Sequence, residues 1–126
     1  MALNYSKETL KHFRNPKNIG EIKNPDAFAE VGNMVCGDQL AFTLKVEKNK
    51  IKDIKFLSFG CASNIATASV MTEMVKGMTL EEAKKFDWNK IVGELEGLPS
   101  QKVHCSVLAV EGLKKVILNY EEKNKK

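Results

Sequence analysis

The sequence predicts an α+β fold in which a three-stranded antiparallel sheet carries helices packed over one face, with a long C-terminal helix. Two segments, 39–47 and 51–60, alternate apolar and polar residues with the period of a strand. After Ala62 the apolar residues recur every three or four positions, which is the period of a helix. Strands followed by a run of helices are typical of the α+β class.

The first element is a short helix predicted over residues 6–15. Leu10 and Phe13 are three positions apart there, and the following segment NPKNIG interrupts the helix with proline and glycine. His12 lies among charged residues on this helix, so we expect its side chain to be solvated.

Three strands follow, predicted over 27–35, 39–47 and 51–60. The second strand places four apolar residues on one face and small or polar residues on the other, which predicts a half-buried strand; the apolar set is Leu40, Phe42, Leu44 and Val46. The polar residues 48–50 predict a hairpin turn, so that the second and third strands are antiparallel.

Helices are predicted for the rest of the chain. One runs from Ala62 to the stop at Gly77, and two short helices begin at the capping residues Thr79 and Asp87. A final helix of about 20 residues carries a single apolar stripe. Its members are Val103, Val107, Val110, Leu113, Ile117 and Tyr120.

Length and composition limit the classes of function. A chain of 126 residues and 14.1 kDa fits one domain, 1–126. The net charge of +4 is weak support for nucleic-acid binding, and no apolar run is long enough to span a bilayer. The charged start MALNYSKETLKHF lacks the apolar segment of a signal peptide. We therefore expect a cytoplasmic protein that binds neither nucleic acid nor membrane.

The three cysteines are the residues most suggestive of chemistry. Cys36, Cys61 and Cys105 each fall at or near the end of a predicted element, where loops on a rigid scaffold carry function. Disulfides do not persist in a reducing compartment. A lone cysteine is more often an inert core residue. Three together, two of them near helix N-termini that favour thiolate, indicate soft-metal binding or sulfur transfer.

Two neighbouring residues extend this candidate site. Side chains adjacent on a helix point about 100° apart, so His104 is poorly placed to deprotonate Cys105, and a protease is not expected. His104 and Cys105 could instead face one metal ion from the rim of the helix. Asp38 follows Cys36 by two positions, and the residues alone leave it equally a turn residue or a hard ligand beside soft thiolates.

Four ordered blocks of sequence resemble the scaffold proteins on which iron-sulfur clusters are assembled, the IscU and N-terminal NifU family. They are YSKETLKHFRNPKNIG at 5–20, CGD at 36–38, GCASNIATAS at 60–69 and KVHCSVLA at 102–109. The resemblance covers nearly the whole chain, and the blocks follow one another in the same order as in the family.

The resemblance implies a non-enzymatic scaffold. It implies that Cys36, Cys61 and Cys105 bind the nascent cluster, with His104 or Asp38 as the fourth ligand and Lys102 at the edge of the site. It also implies a cysteine desulfurase of the IscS/NifS type that passes persulfide sulfur to a scaffold thiol, for which Cys105 is the candidate. Iron and an electron donor such as ferredoxin then complete a [2Fe-2S] or [4Fe-4S] cluster, which passes to apo acceptor proteins.

Some features separate this chain from other branches of the family. The segment LPSQK at 98–102 keeps only part of the Leu-Pro-Pro-Val-Lys motif to which a dedicated DnaK-type chaperone docks, which weakens the expectation of such a chaperone. His104 argues against the branch in which lysine replaces histidine and zinc is held tightly. The end at Lys126, without further cysteine-bearing domains, favours the stand-alone scaffold branch.

Two other functions fit the same residues. Three cysteines with a histidine or aspartate also satisfy tetrahedral zinc, so the alternative is a zinc-binding sulfur-acceptor protein. A thiol oxidoreductase is disfavoured because the sequence contains no CxxC pair.

Overall fold

The computed structural model describes the backbone of residues 6–33, 38–59, 62–95 and 103–124, and the side chains of 6–32, 39–59, 64–95 and 105–124. The described residues form the helices and strands α1 (Lys7–Arg14), β1 (Ala27–Asn33), β2 (Asp38–Glu47), β3 (Lys50–Phe59), α2 (Ala62–Val75), α3 (Leu80–Lys84), α4 (Trp88–Glu94) and α5 (Val103–Lys123). The strands form one antiparallel sheet in the order β1-β2-β3. The predicted α+β fold with its long last helix is confirmed.

The hydrophobic core lies between one face of the sheet and the helices α2 and α5. Leu40 and Phe42 of β2 and Phe56 of β3 are fully buried on that face. Helix α5 approaches the sheet closely at Gly112, where a Cβ atom would lie 2.3 Å from Cε2 of Phe42. A side chain at position 112 would therefore push the helix off the sheet.

The opposite face of β2 is more buried than the sequence pattern predicts. Ala41 and Thr43 are 8% and 4% exposed, although the alternation predicts a solvated face. The chain between α1 and β1 contributes to this burial, because the backbone amide of Ile22 donates to Thr43 Oγ1 at 3.0 Å. A half-buried strand was thus the wrong prediction for this part of β2.

The pairing of β2 with β3 contains an irregularity that alternation does not predict. Lys45 pairs with Asp53, but the next residue, Val46, pairs with Ile51. The extra residue on β3 lets Ile51 and Ile54, three positions apart, both point into the core. The predicted hairpin turn itself is confirmed between these strands.

Side chains cap three helices where the sequence indicates helix starts. Ser6 accepts from the amide of Thr9, Thr79 from that of Glu82, and Asp87 from that of Asn89. Hydrogen bonds from the backbone and side chain of Thr79 lower the pKa of the Glu82 carboxyl. The predicted starts at Thr79 and Asp87 are therefore confirmed as N-caps.

The expectation that His12 is solvated is wrong. Its side chain is only 11% exposed and packs between α1 and α2. Nδ1 lies 2.8 Å from the buried Ser69 Oγ, and Nε2 lies 4.0 Å from a Glu73 carboxylate oxygen. The charged neighbours of His12 face solvent while the imidazole faces α2. Adjacent residues on a helix point in different directions, so the charges beside His12 do not show where its own side chain lies.

Among the described helices, none has the length and apolar character needed to cross a membrane.

Candidate functional site

The described residues that flank Cys36 lie at one end of the sheet. Strand β1 ends at Asn33, which pairs with Asp38 at the start of β2. Cys36 itself lies outside the described residues, and of Asp38 only the backbone is described. The β1–β2 connection that carries Cys36 therefore leaves and re-enters the sheet at this end.

The described residues that flank Cys61 lie at the same end. Phe59, the last residue of β3, pairs with Gln39, the second residue of β2. Helix α2 begins at Ala62, and Cys61 lies between these elements, outside the described residues. The two connections that carry the first two cysteines therefore start from adjacent strands at one edge of the fold.

Cys105 is the one predicted ligand whose side chain the structure describes. It is the third residue of α5 and is fully buried, whereas the sequence suggested a position on the rim of the helix. Its backbone oxygen accepts a hydrogen bond from Thr67 Oγ1 of α2 at 3.4 Å. The beginning of α5 is thereby attached to the second turn of α2.

Asn64 joins the beginning of α2 to both neighbouring strands. Its Nδ2 donates to Ser58 Oγ of β3 at 2.9 Å and to the backbone oxygen of Gln39 of β2 at 3.3 Å. The side chain is fully buried. One amide group thus connects the end of β3, the start of β2 and the first turn of α2.

Two buried side-chain oxygens lie near this junction. Within the described part of the chain, Asn64 Oδ1 and Ser106 Oγ have no hydrogen-bond partner. Leaving a buried polar group unpaired costs on the order of 1–3 kcal/mol.

The complete ligand set predicted from the sequence is not visible as a cluster. The backbone of His104 lies in the first turn of α5, but its side chain is not described, and Lys102 lies outside the described residues. Among the described side chains, no three from His, Cys, Asp and Glu lie close enough together to hold a metal ion. The roles of Cys36, Asp38, Cys61, His104 and Cys105 as ligands remain predictions.

Sequence reasoning missed Asn64 and Thr67. Both lie inside the block GCASNIATAS, in which only Cys61 was predicted to be functional. The available signal was their place on a helix with almost no exposed face: buried amides and hydroxyls on such a helix need partners on other elements. Which elements supply those partners cannot be read from one segment alone.

Charged pairs with altered pKa values occur at the other end of the sheet. The hydrogen bond and positive charge of Lys52 lower the pKa of the Glu47 carboxyl, beside the β2–β3 hairpin. Both groups are solvent-exposed. They belong to the surface of the hairpin and not to the candidate site.

This chain is similar in sequence and in fold to known proteins. A family model described as NifU-like N terminal domain matches residues 4–126. An iron-sulfur cluster assembly scaffold protein IscU of Archaeoglobus fulgidus is 49% identical over 122 residues, which is 97% of this chain and 80% of that protein. The IscU scaffold protein of Aquifex aeolicus is 42% identical, over 95% of this chain and 78% of its own. The crystal structure of a nitrogen-fixing NifU-like protein (N-terminal) from Brucella abortus superposes with a TM-score of 0.74, at 25% identity and 94% coverage of both chains.

Proposed function

This chain belongs to the NifU-like N-terminal domain family, and we propose that it is a scaffold on which an iron-sulfur cluster is assembled and then passed to acceptor proteins. The names of its relatives support a carrier function without enzymatic turnover. They do not favour the alternative of a zinc-binding sulfur-acceptor protein.

One structural observation supports this proposal above the others. The described residues on both sides of Cys36 and of Cys61 lie at one end of the sheet, and Asn64 links that end to α2. Thr67 of the same helix contacts the backbone of Cys105. Three cysteines that are 25 and 44 positions apart in sequence are thus carried by segments that meet around the start of α2.

We assign the cluster ligands by their chemistry. Cys36, Cys61 and Cys105 supply three thiolates, which are the usual ligands of iron-sulfur clusters. Asp38 or His104 supplies the fourth position. A single ligand that is not a thiolate binds iron less strongly than the others, so it would ease the release that a scaffold requires. A [2Fe-2S] cluster needs four protein ligands, the number available in this set.

Sulfur is proposed to enter at Cys105. The Cys105 side chain is fully buried in this structure, so sulfur transfer requires the start of α5 to expose it to the desulfurase. The Cys105 thiolate then attacks the outer sulfur of a persulfide on the cysteine desulfurase, forming a new S–S bond while the desulfurase thiolate leaves. The ammonium group of Lys102 would favour the thiolate form of the attacking sulfur. Each transferred sulfur atom then takes two electrons to become sulfide, which is why an electron donor such as ferredoxin is expected beside an iron source.

We expect residues 1–126 to act as one scaffold domain in the cytoplasm, with a cysteine desulfurase and apo iron-sulfur proteins as partners. A dedicated DnaK-type chaperone is not included, because the segment 98–102 keeps only part of the chaperone-docking motif.

The test is anaerobic reconstitution with a desulfurase, cysteine and ferrous iron, followed by absorption and Mössbauer spectra. We expect wild-type protein to form a cluster and each of Cys36→Ser, Cys61→Ser and Cys105→Ser to fail, because a hydroxyl is a poor substitute for thiolate on iron. A single variant that assembles a wild-type amount removes that cysteine from the ligand set. In the same experiment without iron, mass mapping should find the added sulfur on Cys105, and sulfur found only on Cys36 or Cys61 would overturn its assignment as acceptor.

A further inference from the structure

We infer that Asn64, together with Thr67, is a positioning residue that holds the ligand-bearing segments of the cluster site in one arrangement. This inference rests on the proposed scaffold function and extends it to two residues that bear no metal-binding group. Both side chains are fully buried on α2, and both reach from α2 to another element.

The orientation of the Asn64 amide follows from its partners. A backbone carbonyl can only accept a hydrogen bond, so the nitrogen of the amide must face the oxygen of Gln39. The same nitrogen lies 2.9 Å from Ser58 Oγ and donates its second hydrogen there. The amide therefore bridges β2 and β3 with both of its hydrogens, and Oδ1 points away from them.

The bridged residues are close in sequence to the predicted ligands. Gln39 directly follows Asp38 and is three residues after Cys36, while Ser58 and Asn64 lie three residues on either side of Cys61. Three residues of extended chain span at most about 10 Å. A shift of the bridge would therefore be felt at the base of both cysteine-bearing connections.

Thr67 extends the same contact to the third cysteine. Its Oγ1 lies 3.1 Å from the carbonyl oxygen of Asn64 and 3.4 Å from that of Cys105, so the hydroxyl can donate to either. The first contact belongs to α2 itself, and the second crosses to α5. Asn64 and Thr67 together thus connect α2 to β2, to β3 and to the start of α5.

Packing alone does not account for an asparagine at position 64. A leucine would fill a similar volume in this fully buried place without the desolvation of an amide. A buried polar group of this kind is explained by the geometry that its hydrogen bonds impose.

The first test uses Asn64→Leu and cobalt(II) as a probe ion. Cobalt(II) bound by thiolates gives a visible absorption spectrum that reports ligand geometry without any need for sulfur transfer. Loss of residues that orient metal ligands weakens metal binding by about 10- to 100-fold in known sites. We expect a reduction in this range for Asn64→Leu, an altered cobalt spectrum and a shorter half-life of the reconstituted cluster.

A matched pair of threonines separates positioning from stability. Thr67 and Thr72 are both fully buried on α2, and each hydroxyl donates to the carbonyl three residues earlier. Thr67 contacts α5 beside the site, whereas Thr72 accepts from Asn18 on the opposite side of α2. Thr67→Val and Thr72→Val should lower the thermal midpoint of the apo protein by similar amounts, but only Thr67→Val should weaken cobalt binding, and Thr67→Ser should restore it.

The possible outcomes distinguish a failure of this inference from a failure of the proposed function. If Asn64→Leu fails to fold, the three threonine variants decide the question. Equal cobalt affinity and equal spectra for wild type, Thr67→Val and Thr72→Val would overturn the inference. Wild-type protein that assembles a cluster while Asn64→Leu behaves identically would overturn the inference alone. Wild-type protein that neither binds cobalt nor assembles a cluster would overturn the proposed function itself.

Discussion

The two halves of α2 use buried polar residues in different ways. In the second half, Ser69 Oγ lies 2.8 Å from His12 Nδ1 and accepts the amide of Lys17 at 2.8 Å. Thr72 Oγ1 donates to the oxygen of Ser69 and accepts from Asn18. These hydroxyls hold α1 and the chain after it against α2, and each of them has two hydrogen-bond partners.

In the first half the hydrogen bonds include longer ones. The Asn64 amide and the Thr67 hydroxyl make contacts of up to 3.3 and 3.4 Å. Among the described residues, Asn64 Oδ1 and the nearby Ser106 Oγ find no partner. The comparison teaches that α2 holds the fold together through short hydrogen bonds in its second half, whereas its first half reaches the segments that flank the cysteines through contacts that include longer ones.

The largest expected effect on stability belongs to the second half. Ser69→Ala removes the acceptor of the Lys17 amide and the partner of His12, leaving both with an unmet bond in a partly buried place. We expect a loss of about 2 kcal/mol in the free energy of unfolding, measured by urea denaturation of the apo protein. The half-life of a reconstituted cluster on the folded fraction should not change.

Ser58→Ala in β3 is the matching variant for the first half of α2, since it removes one of the two acceptors of Asn64. It should destabilise the apo protein less than Ser69→Ala while shortening the half-life of the cluster more. If Ser69→Ala shortened that half-life as much as Ser58→Ala, the division of α2 into a structural half and a site half would be wrong.

A smaller effect on stability, with a clear effect on release, is expected for Asp38→Ala. A carboxylate oxygen is a weak partner for iron beside thiolates, so removing it should leave a site of Cys36, Cys61, Cys105 and His104 that holds the cluster longer. The rate of cluster transfer to an apo-ferredoxin should fall, with the thermal midpoint of the apo protein unchanged. A turn aspartate would instead lower stability by about 1 kcal/mol and leave the transfer rate as it was.

The smallest effect is expected for Ser106→Ala. The hydroxyl is fully buried next to Cys105 and has no partner among the described residues, so its removal costs them no hydrogen bond and leaves little space behind. The free energy of unfolding should stay within about 0.5 kcal/mol of wild type or rise. A loss of 2 kcal/mol or more, on the order of a buried hydrogen bond with its desolvation, would show that Ser106 has a partner in the folded protein.

Much of the architecture could be predicted because it depends on local chemistry. The alternation in β2, the polar hairpin turn and the capping residues Thr79 and Asp87 each act on neighbouring residues, and the structure contains all of them. The apolar stripe of α5 is visible as a helical repeat, and Val110, Leu113 and Ile117 are indeed buried. Cys105 could be selected as chemically special by its setting in KVHCSVLA, but not as fully buried.

What the sequence by itself determined is the set of elements, their order and the identity of the residues with metal-binding groups, because these follow from side-chain type and short-range periodicity. Only the tertiary structure decided which distant residues meet: His12 with Ser69, Ile22 with Thr43, and Asn64 with the ends of two strands. A buried hydrogen bond depends on two elements at once, and the energy of an unpaired polar group selects its partner only after the chain has packed.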